Sequence, residues 1–200
     1  MPRVSKKYKE EKTEAILDAA AKCFAEKGYN ETSVDDIAKA SGTSKGSIYL
    51  YFKSKEEIFH RLNAKRTEKY FEIKKQLAGI DCATEKMKYI FRYFYQGDSS
   101  VISYDSIAVQ FEFWIFTSKT EKQALFDERA NDFARFIEEI ITEGIQAEEF
   151  RSDVEVSTFS RLFWACLDGI FLHLLFHRSK ERFEDMLYEY ERMVLKYLKS

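Results

Sequence analysis

Residues 32–52 read TSVDDIAKASGTSKGSIYLYF, and this stretch decides the fold. Thr32 or Ser33 offers a capping oxygen for a short helix, and two aspartates follow in the first turn, where the helix dipole favours negative charge. Gly42 can take the left-handed conformation that ends a helix, and Ser44 is a suitable cap for a second one. Two short helices joined by a tight glycine turn are typical of the helix-turn-helix, whose second helix enters the major groove of DNA.

The end of this stretch has two possible conformations. Residues 48–52 are all strand-prone, but no partner strand or hairpin turn is visible nearby, and a lone strand is not stable. A helix would place Ile48 and Phe52 on one inward face. The side chains left outside would be Lys45, Ser47, Tyr49 and Tyr51. We therefore predict a helix.

A set of fixed spacings around this stretch resembles a known family. It consists of Gly42-x3-Gly46-x2-Tyr49-x-Tyr51-Phe52-x-Ser54-Lys55-Glu56, preceded by Ala25-Glu26-Lys27-Gly28-Tyr29 and then Thr32. Over residues 12–60 the sequence resembles the DNA-binding domain of TetR-type (TetR/AcrR) transcriptional regulators. The resemblance implies a dimeric, all-helical repressor whose C-terminal domain binds a small inducer. Beyond residue 60 the resemblance is one of architecture only.

The predicted fold class is all-α, with about nine helices. Residues 1–53 form a three-helix DNA-binding domain, whose first helix covers residues 10–27 and is ended by Gly28. Residues 54–200 form the larger helical domain for ligand binding and dimerisation. A long helix over residues 54–78 is expected to be the only covalent link between the two domains.

Composition and charge are consistent with this organisation. Residues 1–55 hold 11 Lys and Arg against 8 Asp and Glu, whereas the remainder holds 21 against 26, so a basic module precedes an acidic body. The three cysteines are scattered and odd in number, which indicates a reduced cytoplasmic protein without a disulfide framework. No apolar run reaches the ~20 residues that span a bilayer, so we expect no membrane partner.

Residues 1–9 carry four basic side chains and no acid. One interpretation is a solvated tail, as is usual for termini. The other is a basic arm that lies along the phosphates or in the minor groove of DNA.

The candidate DNA-binding residues fall into two groups. Five offer donors to phosphates and position the protein: Thr32, Ser33, Tyr49, Tyr51 and Lys55. The others lie at the start of the recognition helix, where base edges are read: Thr43, Lys45, Gly46 and Ser47, together with the cap Ser44. Gly46 either lets the backbone approach the groove closely or only eases packing on the preceding helix. Tyr49 and Tyr51 could also be ordinary half-buried tyrosines.

Residues 156–177 and 180–198 are predicted to be helices that pair with their copies in a second subunit, as a four-helix homodimer interface. Gly169 would allow a close approach of the partner helix. The candidate interface residues are Cys166, Gly169, Ile170, His173, His177, Met186, Tyr190, Met193 and Tyr197. A dimer would present two recognition helices to half-sites of a palindromic double-stranded operator about one helical turn, ~34 Å, apart.

Aromatic side chains in the body suggest a pocket for a small inducer. The candidate ligand-binding residues are Phe91, Phe94, Phe111, Trp114, Phe133, Trp164 and Asp168. The alternative is that the aromatic residues form a solid core. Asp168 and Glu112 are acids inside apolar runs, so each must be paired, either with a cationic ligand or with a neighbouring helix.

Enzyme chemistry finds little support. His173 and His177 share a helical face as a metal pair would, but no glutamate follows His173 as in a zinc-protease motif. Cys166 and His173 lie about 10 Å apart along a helix, which is too far for a catalytic hydrogen bond. We predict a non-enzymatic, cofactor-free repressor that a hydrophobic or aromatic ligand releases from DNA. The alternative is a helical ligand-binding or adaptor protein without a specific operator.

Overall fold

The computed structural model describes residues 6–96, 104–118 and 123–199, and these residues form helices without any strand. Their nine helices are α1 (Lys6–Glu31), α2 (Val34–Ala40), α3 (Lys45–Ile48), α4 (Lys55–Leu77), α5 (Ala83–Gln96), α6 (Tyr104–Ser118), α7 (Gln123–Gln146), α8 (Val156–His177) and α9 (Lys180–Lys199). The all-α prediction is confirmed. Residues 1–5 of the predicted arm lie outside the described residues.

The packing divides the chain into two compact units, and the first combines Met1–Glu68 with Asp105–Phe116. Its hydrophobic core joins α1, α2, α3 and α4 to Val109 and Phe113 of α6. The remaining chain, Lys69–Tyr104 with Thr117–Ser200, forms the second unit. These units differ from the predicted domains, because the α6 segment packs in the first unit and the chain passes between the units at both ends of that segment as well as within α4. The functional boundary at residue 53 stays a prediction.

The helix-turn-helix forms as local sequence chemistry dictates. Gly28 interrupts α1 with a φ of 82° and a ψ of 161°, so the regular helix ends where the sequence predicts. It begins earlier than predicted, at Lys6. Gly42 has a φ of 63°, the left-handed conformation that glycine adopts without steric cost.

The recognition helix is shorter than predicted. α3 is α-helical only over Lys45–Ile48, and tighter turns follow, in which the amide of Leu50 donates to the carbonyl of Ser47 at 3.2 Å. Ile48 and Phe52 are buried, as the helical interpretation requires. The strand alternative is thus excluded.

The second unit packs α5, α7, α8 and α9 around an aromatic core. The ring centroids of Phe91 and Phe163 lie 5.7 Å apart, and those of Phe94 and Phe171 lie 5.4 Å apart, in edge-to-face arrangements. The carboxylate of Glu149, which follows α7, accepts hydrogen bonds at 2.9 Å from the amide of Ala83 and at 2.9 Å from that of the next residue. This contact caps the first turn of α5 from outside the helix.

α8 has the length and composition of a membrane-spanning helix. Its most apolar window of 18 residues has a mean hydropathy of 1.4, and only 28% of that window is buried. The uninterrupted apolar run is still shorter than ~20 residues, and α8 qualifies because the window tolerates the few polar residues that break this run. Length and composition alone do not distinguish a membrane helix from an interface helix, whose apolar side a partner chain covers.

Candidate nucleic-acid interface

Ser33 begins α2 through a reciprocal capping arrangement. Its Oγ accepts a hydrogen bond from the amide of Asp36 at 3.1 Å, and the Asp36 carboxylate accepts one from the amide of Ser33 at 2.9 Å. The same carboxylate accepts from Nζ of Lys27 at 2.7 Å. The hydrogen bond from Lys27, followed by those from Ser33, holds the pKa of Asp36 far below its ordinary value. The predicted cap is confirmed at Ser33, which is exposed.

Thr32 lies inside the first unit rather than on its surface. The residue is 1% exposed, and its single hydroxyl proton is shared between the carbonyl of Gly28 at 2.7 Å and that of Cys23 at 3.0 Å. Both bonds tie the start of α2 to the end of α1. The expected phosphate contact from Thr32 is therefore corrected, because its hydroxyl is buried and already donates.

The recognition turn is capped at its start and anchored at its end. Oγ of Ser44 accepts from the amide of Ser47 at 3.1 Å, which confirms the predicted cap. Ile48 is fully buried and Phe52 is 4% exposed, so this face holds the turn on the core. The opposite side of the segment is open to solvent.

The structure brings most of the predicted DNA-contacting residues onto this open side. Ser44, Lys45, Gly46 and Tyr49 are exposed, and Thr43, Ser47 and Tyr51 are half-buried. Leu50, for which the sequence predicted no contact with DNA, is 82% exposed on the same segment. Tyr51 also packs against the hydrophobic core, so the half-buried alternative describes Tyr51 better than Tyr49.

Gly46 has free space around its α-carbon. A Cβ at this position would meet no atom within 4 Å. Packing on α2 therefore does not require glycine here. Of the two interpretations in the sequence analysis, this space favours close approach to the groove, which stays a prediction.

Lys45 forms an ion pair with Asp35, an acid in the first turn of α2. Its Nζ lies 2.7 Å from Oδ2 of Asp35, and the two side chains are 51% and 55% exposed. The hydrogen bond to Asp35 raises the pKa of Lys45. The ion pair thus places one donor and one acceptor side by side on the exposed surface of the helix-turn-helix.

Lys55 serves a different purpose from the predicted phosphate contact. Its ammonium group donates to the carbonyls of Tyr29 at 2.6 Å and Thr32 at 2.8 Å, and it lies 4.4 Å from the centre of the Tyr29 ring. Burial lowers the pKa of Lys55, while the charge of Glu112 acts in the opposite direction. Lys55 therefore holds the connection between α1 and α2 in place, and its three donors are used inside the first unit.

Glu112 of α6 also holds the connection between α1 and α2 in place, through the backbone amide of Tyr29. The two carboxylate oxygens lie 2.8 Å and 2.7 Å from the amide nitrogen of Tyr29. A Cβ on Gly28 would lie 2.9 Å from one of these oxygens. Of the two partners expected for Glu112, the structure shows the neighbouring helix. The signal in the sequence was a single acid within the apolar run of residues 107–116.

The predicted ligand-binding residues are divided between the units. Phe111 and Trp114 belong to the first unit, in which Trp114 packs against the hydrophobic core. The second unit holds the others: Phe91, Phe94, Phe133, Trp164 and Asp168. Among them, Nε1 of Trp164 donates to the carbonyl of Phe133 at 2.7 Å, and Asp168 is half-buried. Their role in ligand binding stays a prediction.

Two of the predicted dimer residues on α9 differ sharply in exposure. Met193 is 60% exposed, whereas Tyr190 faces its own subunit and donates to the carbonyl of Phe163 at 2.8 Å. Burial raises the pKa of Tyr190. Tyr197 is 41% exposed, and Met186 is half-buried.

On α8, the predicted dimer face is open to solvent along part of its length. His173 and His177 are exposed, with stacked rings 5.5 Å apart, and the remaining predicted residues are half-buried: Cys166, Gly169 and Ile170. In the part of the chain that the structure describes, no group of three or more His, Cys, Asp or Glu side chains could hold a metal ion. The exposed surface of α8 also contains two large apolar side chains, Leu162 and Phe176, which are 57% and 70% exposed.

Comparison with known families identifies both parts of the chain. Residues 16–62 match the family described as bacterial regulatory proteins, tetR family. Residues 84–184 match the family described as tetracyclin repressor-like, C-terminal domain. Together the two matches span the helix-turn-helix and most of the second unit.

Individual relatives are similar over nearly the whole chain. The HTH-type transcriptional regulator YfiR of Bacillus subtilis is 28% identical over 98% of this chain and 95% of its own. The fatty acid metabolism regulator protein of the same species is 28% identical over 81% of this chain and 82% of its own. Among solved structures, Bacillus subtilis FadR in complex with stearoyl-CoA has a TM-score of 0.79 at 24% identity, covering 92% of this chain and 98% of that one.

Proposed function

The chain belongs to the TetR family of bacterial transcriptional regulators, and on this basis we propose that it is a homodimeric repressor. It binds a palindromic operator, and a hydrophobic ligand releases it. The observation that carries the proposal is the recognition turn, which is capped by Ser44, anchored by Ile48 and Phe52, and open to solvent at Lys45 and Tyr49. A turn fixed in this way can enter the major groove without losing its conformation. Because the role requires access to DNA, we place the protein in the cytoplasm.

DNA binding is tested by selecting operators from random duplexes with the full-length chain. Fluorescence anisotropy then compares the selected site with a scrambled duplex at one fixed salt concentration. We expect Lys45→Ala to weaken operator binding at least tenfold and Tyr49→Phe to weaken it less. Lys180→Ala, which removes a lysine that is 81% exposed in the second unit, should leave binding unchanged. If selection enriches no sequence, the repressor proposal is refuted, and the result favours a ligand-binding or adaptor protein without a specific operator.

The homodimer is supported by the uncovered apolar surface of α8. Leu162 and Phe176 would each gain roughly 1–2 kcal/mol if a partner chain covered the part of each side chain that is still exposed. A Cβ on Gly169 would meet nothing within 4 Å in its own subunit, so the space beside this residue is open to a partner helix. Two copies paired through α8 would carry two recognition turns.

Sedimentation equilibrium tests the dimer directly. We expect a dimer for the full chain and a monomer for Phe176→Glu. Leu50→Glu introduces the same charge at an exposed apolar position of the first unit, and it should remain dimeric. A wild-type chain that sediments as a monomer at micromolar concentration would refute the paired arrangement, although not DNA binding as such.

A fatty acyl group is the ligand that we propose. The support comes from the relative that is named as a fatty acid metabolism regulator and from the aromatic, apolar core of the second unit. Stearoyl-CoA, which is bound in a structure of similar fold, provides the probe. We expect stearoyl-CoA to weaken operator binding, whereas coenzyme A alone should not. A Trp164→Phe variant tests whether the ligand contacts the second unit, since it removes the hydrogen bond to Phe133 but keeps an aromatic ring.

A further inference from the structure

We propose that Asp35 and Lys45 act together as a reader of one G·C base pair, with Asp35 as a specificity-determining residue of the DNA-binding surface. The inference rests on the proposed DNA-binding function. It extends that function by naming a residue outside the recognition helix and the base pair that this residue selects.

The ion pair has the position that such a reader needs. Asp35 lies in the first turn of α2 and Lys45 in the first turn of α3, and both side chains are about half exposed. The fold does not depend on Asp35, because Ser33 and Asp36 already complete the capping arrangement of α2. The carboxylate of Asp35 is therefore available to a ligand on the exposed surface.

The chemistry of the pair is complementary to one base pair in the major groove. Guanine presents acceptors at O6 and N7, which suit the ammonium group of Lys45, and cytosine presents an N4 amine, which suits the carboxylate of Asp35. Guanine O6 and cytosine N4 are themselves hydrogen-bonded, so they lie about 2.9 Å apart. The Nζ and Oδ2 atoms of the protein pair lie 2.7 Å apart, close to the separation of their two targets.

The charge of Asp35 also has a consequence for DNA that lacks this base pair. On an arbitrary duplex the surface meets phosphates without a matching amine, and a carboxylate held near phosphates is repelled. The same residue therefore strengthens binding to the operator and weakens binding elsewhere. A lysine without its carboxylate would bind any phosphate and would discriminate less.

The experiment is a base-pair scan of the selected operator, in which each G·C pair of a half-site is changed to A·T. We expect one pair at which this change costs the wild-type chain about 10- to 100-fold in affinity, the range of a good two-point base contact. In Asp35→Ala the cost at that pair should fall about tenfold, and affinity for scrambled DNA should rise a few-fold. When Lys45 is already alanine, Asp35→Ala should not further change the loss of affinity that the G·C to A·T change causes at that pair.

A matched control separates base reading from net charge. Asp18→Ala removes an exposed acid of α1, so it tests the general effect of charge without touching the ion pair. Asp35→Asn loses the charge but keeps a carbonyl oxygen that can accept from cytosine N4, so it should lower the cost at that pair less than Asp35→Ala does. The proposal is overturned if Asp35→Ala leaves the cost at every pair unchanged, or shifts all pairs equally as Asp18→Ala does. Failure to select any operator would instead refute the proposed function.

Discussion

Removal of the Glu112 carboxylate gives a direct test of how the first unit is held together. In the wild-type structure the two oxygens of this carboxylate lie 2.8 Å and 2.7 Å from the amide nitrogen of Tyr29, which donates to them. Tyr29 directly follows the non-helical residue Gly28. A hydrogen bond to a charged group contributes roughly 1.5–3 kcal/mol, and its loss leaves a half-buried amide without an acceptor. We expect Glu112→Ala to lower the free energy of unfolding of the first unit by about 2 kcal/mol.

The assay is urea denaturation of the full chain, followed by the fluorescence of Trp114. A Trp164→Phe background removes the signal of the second unit, so that the transition reports the first unit. Glu112→Gln keeps one carbonyl acceptor and should lose about half as much stability. Glu26→Ala, at an exposed position of α1, should lose almost none. A Glu112→Ala transition within about 0.5 kcal/mol of wild type would refute the reasoning, because surface changes alone stay within that range.

Gly28 provides a second variant for the same contact. Gly28→Ala places a Cβ 2.9 Å from the carboxylate oxygen and forces alanine to a φ of 82°, so two costs combine. In the Glu112→Ala background the steric cost should disappear while the conformational cost remains. Purely additive effects of the two substitutions would show that the close approach has no energetic consequence.

Three further perturbations have defined outcomes. Although burial opposes it, hydrogen bonds from Cys82 and the first amides of α5 lower the pKa of Glu149 to about 2 from an ordinary 4.5. The contribution of Glu149 to the free energy of unfolding is thus complete above pH 4.5 and is lost as pH falls towards 2. After allowance for partial exposure, we expect this contribution to be ~2 kcal/mol. Urea denaturation across this pH range should show it in the wild type and not in Glu149→Gln. Gly144→Ala would place its Cβ in steric overlap with one edge of the Phe150 ring, so thermal melting should show a loss of about 1–3 kcal/mol. An unchanged melting temperature would mean that the ring moves freely aside. Gly46→Ala meets no atom within 4 Å and should raise thermal stability slightly while weakening operator binding in anisotropy; unchanged binding would contradict close approach to the groove.

The sequence predicted those features that depend on neighbouring residues. The cap at Ser33, the left-handed Gly42 and the cap at Ser44 all follow from side-chain chemistry within three or four positions, and all three are present. The inward face of Ile48 and Phe52 follows from helical spacing. Local rules sufficed because each of these groups finds its partner in the same turn.

The features that the sequence did not predict depend on distant partners. Lys55 bonds with carbonyls 23 to 26 positions away, and Glu112 accepts from an amide 83 positions away. Thr32 looked like a surface donor because its hydroxyl resembles that of Ser33, yet the packing of α1 on α2 buries it. No rule based on spacing connects such residues, since tertiary packing decides which polar group loses contact with water.

The contribution of α6 to the first core limits how this protein can be dissected. A fragment that stops between Glu68 and Asp105 contains the entire helix-turn-helix yet lacks Val109, Phe113 and the Glu112 carboxylate. Such a fragment would expose apolar side chains of α1 and α4 that the intact chain covers. A hybrid regulator that exchanges only the N-terminal helices would pack α1 and α4 of one protein against α6 of another. A successful graft must therefore transfer the α6 segment together with the N-terminal helices.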